Sequence, residues 1–142
     1  MSIQATIDIY FNEGKRVKPS QILDIFLASD WKNMDNNKFR MLPLGDEDYS
    51  WISYTEDEKE AKVLLNGKLD AGEVGGIELF YNKSGIGIEM LLFTDSQLSI
   101  SLSINRKTKF KSHTDIDWYI EKILLPLEQQ IEIESFEFVE QL

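Results

Sequence analysis

The sequence predicts an α+β fold: one mostly antiparallel sheet with three helices packed on it. Three observations carry this. Residues 3–11 alternate strictly, with Ile3, Ala5, Ile7, Ile9 and Phe11 on one side and polar residues between them. Three further strand-like runs, between about 76 and 104, follow one another with connections too short for a crossover, which makes them an antiparallel meander. Other stretches carry apolar residues at helical spacing. At 142 residues the chain reads as a single domain, 1–142, long enough to bury a core.

In chain order, the alternating strand is followed by the loop "NEGKRVKPS". Pro19 suits a first helical position, and Ile22, Ile25, Phe26 and Ala28 give a helix from about Pro19 to Ser29. The stretch "DWKNMDNNKFRMLPLGDED" is polar and turn-rich, with a short strand at Phe39–Leu42. "YSWISY" reads as a strand. Thr55 and Glu58 then form a capping box that starts a second helix, with Asn66-Gly67 as its stop. "AGEVGG" lies ahead of a strand, the wrong order for a phosphate cradle, so its glycines read as a turn and strand entry. "GIELFYN", "GIGIEMLLF" and "QLSISLSIN" are the meander. In the last, Leu98, Ile100, Leu102 and Ile104 alternate with Ser99, Ser101 and Ser103. After the basic loop "RKTKFKSH", Thr114 caps a third helix with the stripe Ile116, Ile120, Ile123, Leu124 and Leu127. Pro126 kinks or ends it. "SFEFVE" is a final strand.

Composition excludes several chemistries. With no cysteine there is neither a disulfide framework nor a thiolate nucleophile or metal ligand. His113 is the single histidine, too few for a zinc site. It sits in the basic loop, where Ser112 and Asp115 are too close in sequence to make a triad, so it reads as a solvated loop residue. No catalytic set, metal or cofactor is expected. The first residues lack a basic segment followed by a long apolar core, and no run is long enough to span a bilayer, so the expectation is a cytoplasmic protein. A net charge of −10 disfavours nucleic acid and anionic membrane as partners.

The remaining signal is "GDEDYSWISYTEDEKE", residues Gly45 to Glu60, with seven carboxylates around one tryptophan and two tyrosines. Part of this acidity is structural, since acids in a first helical turn suit the helix dipole. If Ile52 and Tyr54 face the core, Trp51 points the other way with Ser53. If a helix covers that second face, Trp51 is core. If not, it is an aromatic anchor rimmed by charge. The candidate contact residues are Asp46, Glu47, Asp48, Tyr49, Trp51, Glu56, Asp57 and Glu60.

The segments "GIELFYNKSGIGIEMLLF", "SLSINRKTKF" and "TDIDWYIEKILLPLEQQ", in a small acidic cysteine-free chain, resemble the strand–strand–helix half of bacterial immunity proteins. These are the antidotes paired with toxins of contact-dependent growth inhibition and related polymorphic systems. The resemblance implies a non-enzymatic inhibitor, and a monomer or weak dimer is expected. Such a protein binds one cognate toxin domain, often a basic nuclease, and blocks its active site or substrate path. Carboxylates stand in for phosphates in such a contact and steer a basic partner. Two rival readings remain. One is a regulatory or nucleic-acid-binding module working through the basic 106–111 loop. The other is an enzyme built on an Asp/Glu pair.

Overall fold

The computed structural model describes residues 3–12, 19–32, 39–41, 51–54, 58–93 and 97–141. Its α+β architecture agrees with the sequence expectation. The elements are β1 (Gln4–Phe11), α1 (Pro19–Ala28), β2 (Trp31–Lys32), β3 (Phe39–Met41), β4 (Ile52–Tyr54), α2 (Glu58–Asp70), β5 (Gly75–Tyr81), β6 (Gly87–Leu92), β7 (Gln97–Ile104), β8 (Thr108–Phe110), β9 (His113–Thr114), α3 (Ile116–Tyr119), a π-helical stretch Ile120–Leu124 running on into α4 (Leu125–Glu128), and β10 (Ile133–Gln141).

Among the described residues the main sheet has eight strands, in the order β10-β1-β7-β6-β5-β3-β4, with β2 also pairing to β5. All its pairings are antiparallel. The expected meander is β5-β6-β7. Its first turn is set by Asn82 and Gly85, both at positive φ, and closed by hydrogen bonds from the Ser84 amide and hydroxyl to the Tyr81 carbonyl at 3.1 and 2.6 Å.

Strand alternation sorts the sheet into two faces. Ala5, Ile7, Ile9 and Phe11 of β1 are buried on one, in register with Ile100 and Leu98 of β7 and, through them, with Met90 and Leu92 of β6 and Ile77 of β5. Against this face pack Ile22, Leu23, Ile25 and Phe26 of α1, Leu65 of α2, and Tyr119, Ile123, Leu124 and Leu127 from the last helical segment, in one continuous core. Leu23 takes the inward place that the helical spacing gave to Ala28, which is exposed. Among the described residues no helix is long and apolar enough to cross a membrane.

Three expectations about element ends and one about a loop need correction. The second helix does not stop at Asn66-Gly67. It runs to Asp70 and closes on Gly72, whose φ of 73° is the left-handed turn. The Glu73 amide then reaches back to the Lys68 carbonyl at 2.7 Å, the bond that defines a Schellman end. Lys68, wholly buried, also meets Glu73 at 3.5 Å in an ion pair. The third helix is capped by Asp115, whose carboxylate accepts from the Trp118 amide at 3.4 Å. Thr114 instead lies in β9, because its amide is taken by Glu140.

Of the two outcomes expected at Pro126, a kink or an end, the helix does not end there. A proline has no N–H and its ring crowds the carbonyl four residues back. The turn before it widens, so that the Leu125 amide bonds Ile120 rather than Glu121, and the helix continues to Glu128. The carbonyl that Pro126 leaves without an α-helical donor is that of Lys122. It accepts the indole N–H of Trp31 at 3.0 Å.

Fourth, the turn-rich stretch after α1 hides a core element. Asp30, at φ 71°, turns the chain so that Trp31 enters β2, where it is completely buried. Trp31 is packed edge-on against Phe26, Tyr81 and Trp118, with ring centroids 6.1, 5.2 and 6.2 Å apart. Trp118 itself is half-buried against the core.

Candidate functional site

The acidic stretch is only partly within the described residues. Asp46, Glu47, Asp48 and Tyr49, together with Glu56 and Asp57, lie outside them, as does the Thr55 end of the expected capping box. Glu60 is in the first turn of α2. Trp51 is described, and its position follows from the sheet register. Ile52 pairs with Met41, and Met41 pairs with Ile77, both buried on the core face. Arg40, paired with Ser53, therefore belongs to the opposite face, and there its guanidinium donates to Glu78 at 2.8 Å. The same guanidinium lies over the Trp51 ring, 5.9 Å from its centroid, so half-buried Trp51 is on the face away from the helices. The cation stacks on the ring's negative face while neutralising a carboxylate that is only 4 % exposed.

That face continues across β6, β7, β1 and β10. Its residues alternate with the core positions: Thr6, Asp8 and Tyr10 of β1, Ser99, Ser101 and Ser103 of β7, and Glu89 of β6. They are half-buried or exposed, whereas their core-face neighbours are 0–5 % exposed, so no described element covers them. Asp8 is in register with Glu137 of β10, which is exposed, so two carboxylates stand directly opposite each other. Such a like-charge pair is a local cost to the sheet. Glu89 is held by the Ser103 hydroxyl at 3.3 Å. The strand alternation made these polar positions legible, but which acids meet across strands depends on pairings no local signal encodes.

The basic loop is an ordered hairpin, β8-β9, and its charge is partly used internally. Arg106 donates to the Thr114 hydroxyl at 2.8 Å and the Ser112 carbonyl at 2.7 Å, and lies 3.7 Å from Glu140. Lys109 meets Asp117 at 3.5 Å. Phe110 is 66 % exposed beneath Lys111.

His113 is exposed, as the sequence implied, but it is not unattached: its Nδ1 lies 3.0 Å from Glu140 Oε2. The other Glu140 oxygen accepts the Thr114 amide at 2.6 Å. Together the His113 ring and the Thr114 donors hold the Glu140 carboxyl down at about 2. That is the opposite of the raised value a general acid needs. The arrangement is a clasp between the hairpin and β10. Because the folded value is below the ordinary 4.5, the clasp contributes stability above about pH 4.5 and loses it as pH falls through about 2. The melting temperature of Glu140→Gln is expected to lie below the parent's at neutral pH and to converge with it near pH 2. Curves offset equally at every pH would show that the carboxylate's charge is not what holds the clasp.

In the helical layer, Gln21, Asp24, Ala28 and Glu132 line an open groove of about 470 Å³ between α1 and the turn into β10. Among the described residues no three His, Asp or Glu side chains come together as a metal site. No family model matches the chain, and no curated protein or solved structure is significantly similar to it.

Proposed function

We propose that this chain is a non-enzymatic immunity protein that binds and neutralises a cognate toxin domain, a basic nuclease by chemistry, and acts as a cytoplasmic monomer or weak dimer. The observation that supports this best is the placement of Trp51. It is a half-buried aromatic on the sheet face away from the helices, with acids on both sides of it in the sequence. An aromatic anchor surrounded by charge is the composition of a binding hot spot. The net charge of −10 supplies long-range attraction for a basic domain and repels nucleic acid.

The test is association with the C-terminal domain of the large secreted protein expected to be encoded beside this gene. Reversing Asp46, Glu47, Asp48, Glu56, Asp57 and Glu60 to lysine is expected to slow association and flatten its salt dependence. Close interfacial charge pairs couple by about 1.5–7 kcal/mol, and rim pairs by much less. Unchanged on-rates in that variant would take this stretch out of the interface. A neighbouring domain that is neither bound nor neutralised by the parent chain would end the immunity reading.

A further inference from the structure

We propose that the partner seats on the sheet face formed by β10, β1, β7 and β6, which no described element covers, and that the surface it presents there is a basic protein surface. This inference rests on the inhibitor reading and names the surface that reading leaves open. Three features of the face select the occupant.

The first is shape. The centre of the face is lined by the small side chains of Ser99 and Ser101 on β7, flanked by Leu91 on β6 and Tyr10 on β1, so a partner approaches the sheet closely along β7 and meets larger side chains on either side. The second is charge. Asp8 and Glu137 oppose each other across β1 and β10, and Glu89 stands on β6, while among the described residues no ion pair reaches any of the three. By contrast, the neighbouring Glu78 is already neutralised by Arg40. Opposed carboxylates destabilise an isolated sheet, and a lysine or arginine placed between them turns that cost into attraction. The third is continuity: Trp51 lies on the same side of the sheet, so the anchor and the acids address one partner. A second copy of this chain would bring acid against acid, and nucleic acid would meet the same repulsion.

The test uses the full isotope-labelled chain and two probes, an oligolysine peptide and the neighbouring toxin domain. Oligolysine is expected to shift the amide signals of 6–10, 99–103 and Glu137, and added salt should reverse the shifts. Shifts confined to other segments would overturn the proposal, whether or not the toxin domain binds. The pair Asp8→Asn with Glu137→Gln keeps side-chain shape and relieves the opposed charges. It is expected to raise the melting temperature while weakening both probes at least about threefold. A rise in stability with undiminished binding would show that the pair is only a structural defect.

Ser101→Trp adds bulk at the centre of the face without changing charge. It is expected to weaken toxin-domain binding at least about tenfold in a chain that still melts cooperatively. If the parent binds the toxin domain and Ser101→Trp binds it equally well, the docking face is wrong while the inhibitor reading stands. If the parent fails to bind the toxin domain but oligolysine still maps to this face, the inhibitor reading fails and the basic-surface assignment holds. Concentration-dependent dimerisation that Ser101→Trp abolishes would assign the face to a second copy and overturn the proposal.

Discussion

Replacing Trp31 by alanine is expected to lower folding stability by about 3–5 kcal/mol, the range for emptying a fully buried aromatic site. Trp31 has no exposed surface and touches three other rings from α1, β5 and α3. It is also the donor that satisfies the Lys122 carbonyl freed by Pro126. A Trp31→Phe variant separates the two contributions. It retains much of the packing but leaves that carbonyl without its indole donor, a loss of about 1–3 kcal/mol for a buried group. Urea unfolding of both variants reads the difference. A Trp31→Phe variant as stable as the parent would mean that the carbonyl finds another donor and that packing accounts for the whole effect.

Trp51→Ala is expected to behave in the opposite way. Its loss should cost binding at least about 2 kcal/mol, roughly thirtyfold in affinity, because an aromatic anchor in an interface is worth that much. Stability should fall by about 1–2 kcal/mol, the worth of a partly desolvated cation–π contact with Arg40. Arg40 retains its bond to Glu78 in the variant, which keeps the buried carboxylate paired. A thermal melt beside a titration with the toxin domain separates the outcomes. A stability loss as large as that of Trp31→Ala would place Trp51 in the core and leave only the carboxylates as a surface signal.

The two tryptophans also show where the sequence was readable. Trp51 sits in a short alternating run, and alternation is a local property, so its face could be expected once Ile52 was taken as core; the Met41 and Ile77 pairings agree. Trp31 follows a helix and precedes a polar tract, with no periodicity around it. Its burial depends on Asp30 adopting a left-handed turn and on partners up to 91 residues away. The meander was legible because its turns are short and its apolar residues alternate. The ends of the helices were not, because Asn66-Gly67 carries a stop signal that the chain overrides. The stop that prevails is Gly72, a position at which only the six-to-one bond from Glu73 distinguishes a helix end from a loop. Pro126 was legible as a disturbance, but whether it breaks a helix or widens it depends on what accepts the orphaned carbonyl. The acidic face was half visible: polar positions follow from alternation, whereas the Asp8–Glu137 opposition comes from pairing the first strand with the last.

That pairing also fixes when the protein becomes whole during its synthesis. β1 leaves the ribosome long before either of its neighbours, β7 and β10. Its apolar residues, Ile7, Ile9 and Phe11, therefore wait as an unpaired strand until β7 has been made. Pairings of such long sequence separation are slow, because the loop between them must close before any contact compensates for it. The sheet face that carries Asp8 and Glu137 does not exist until β10 has docked, so a chain not yet made as far as β10 lacks its complete sheet and surface. The strand that completes the sheet is the one that also completes its charge.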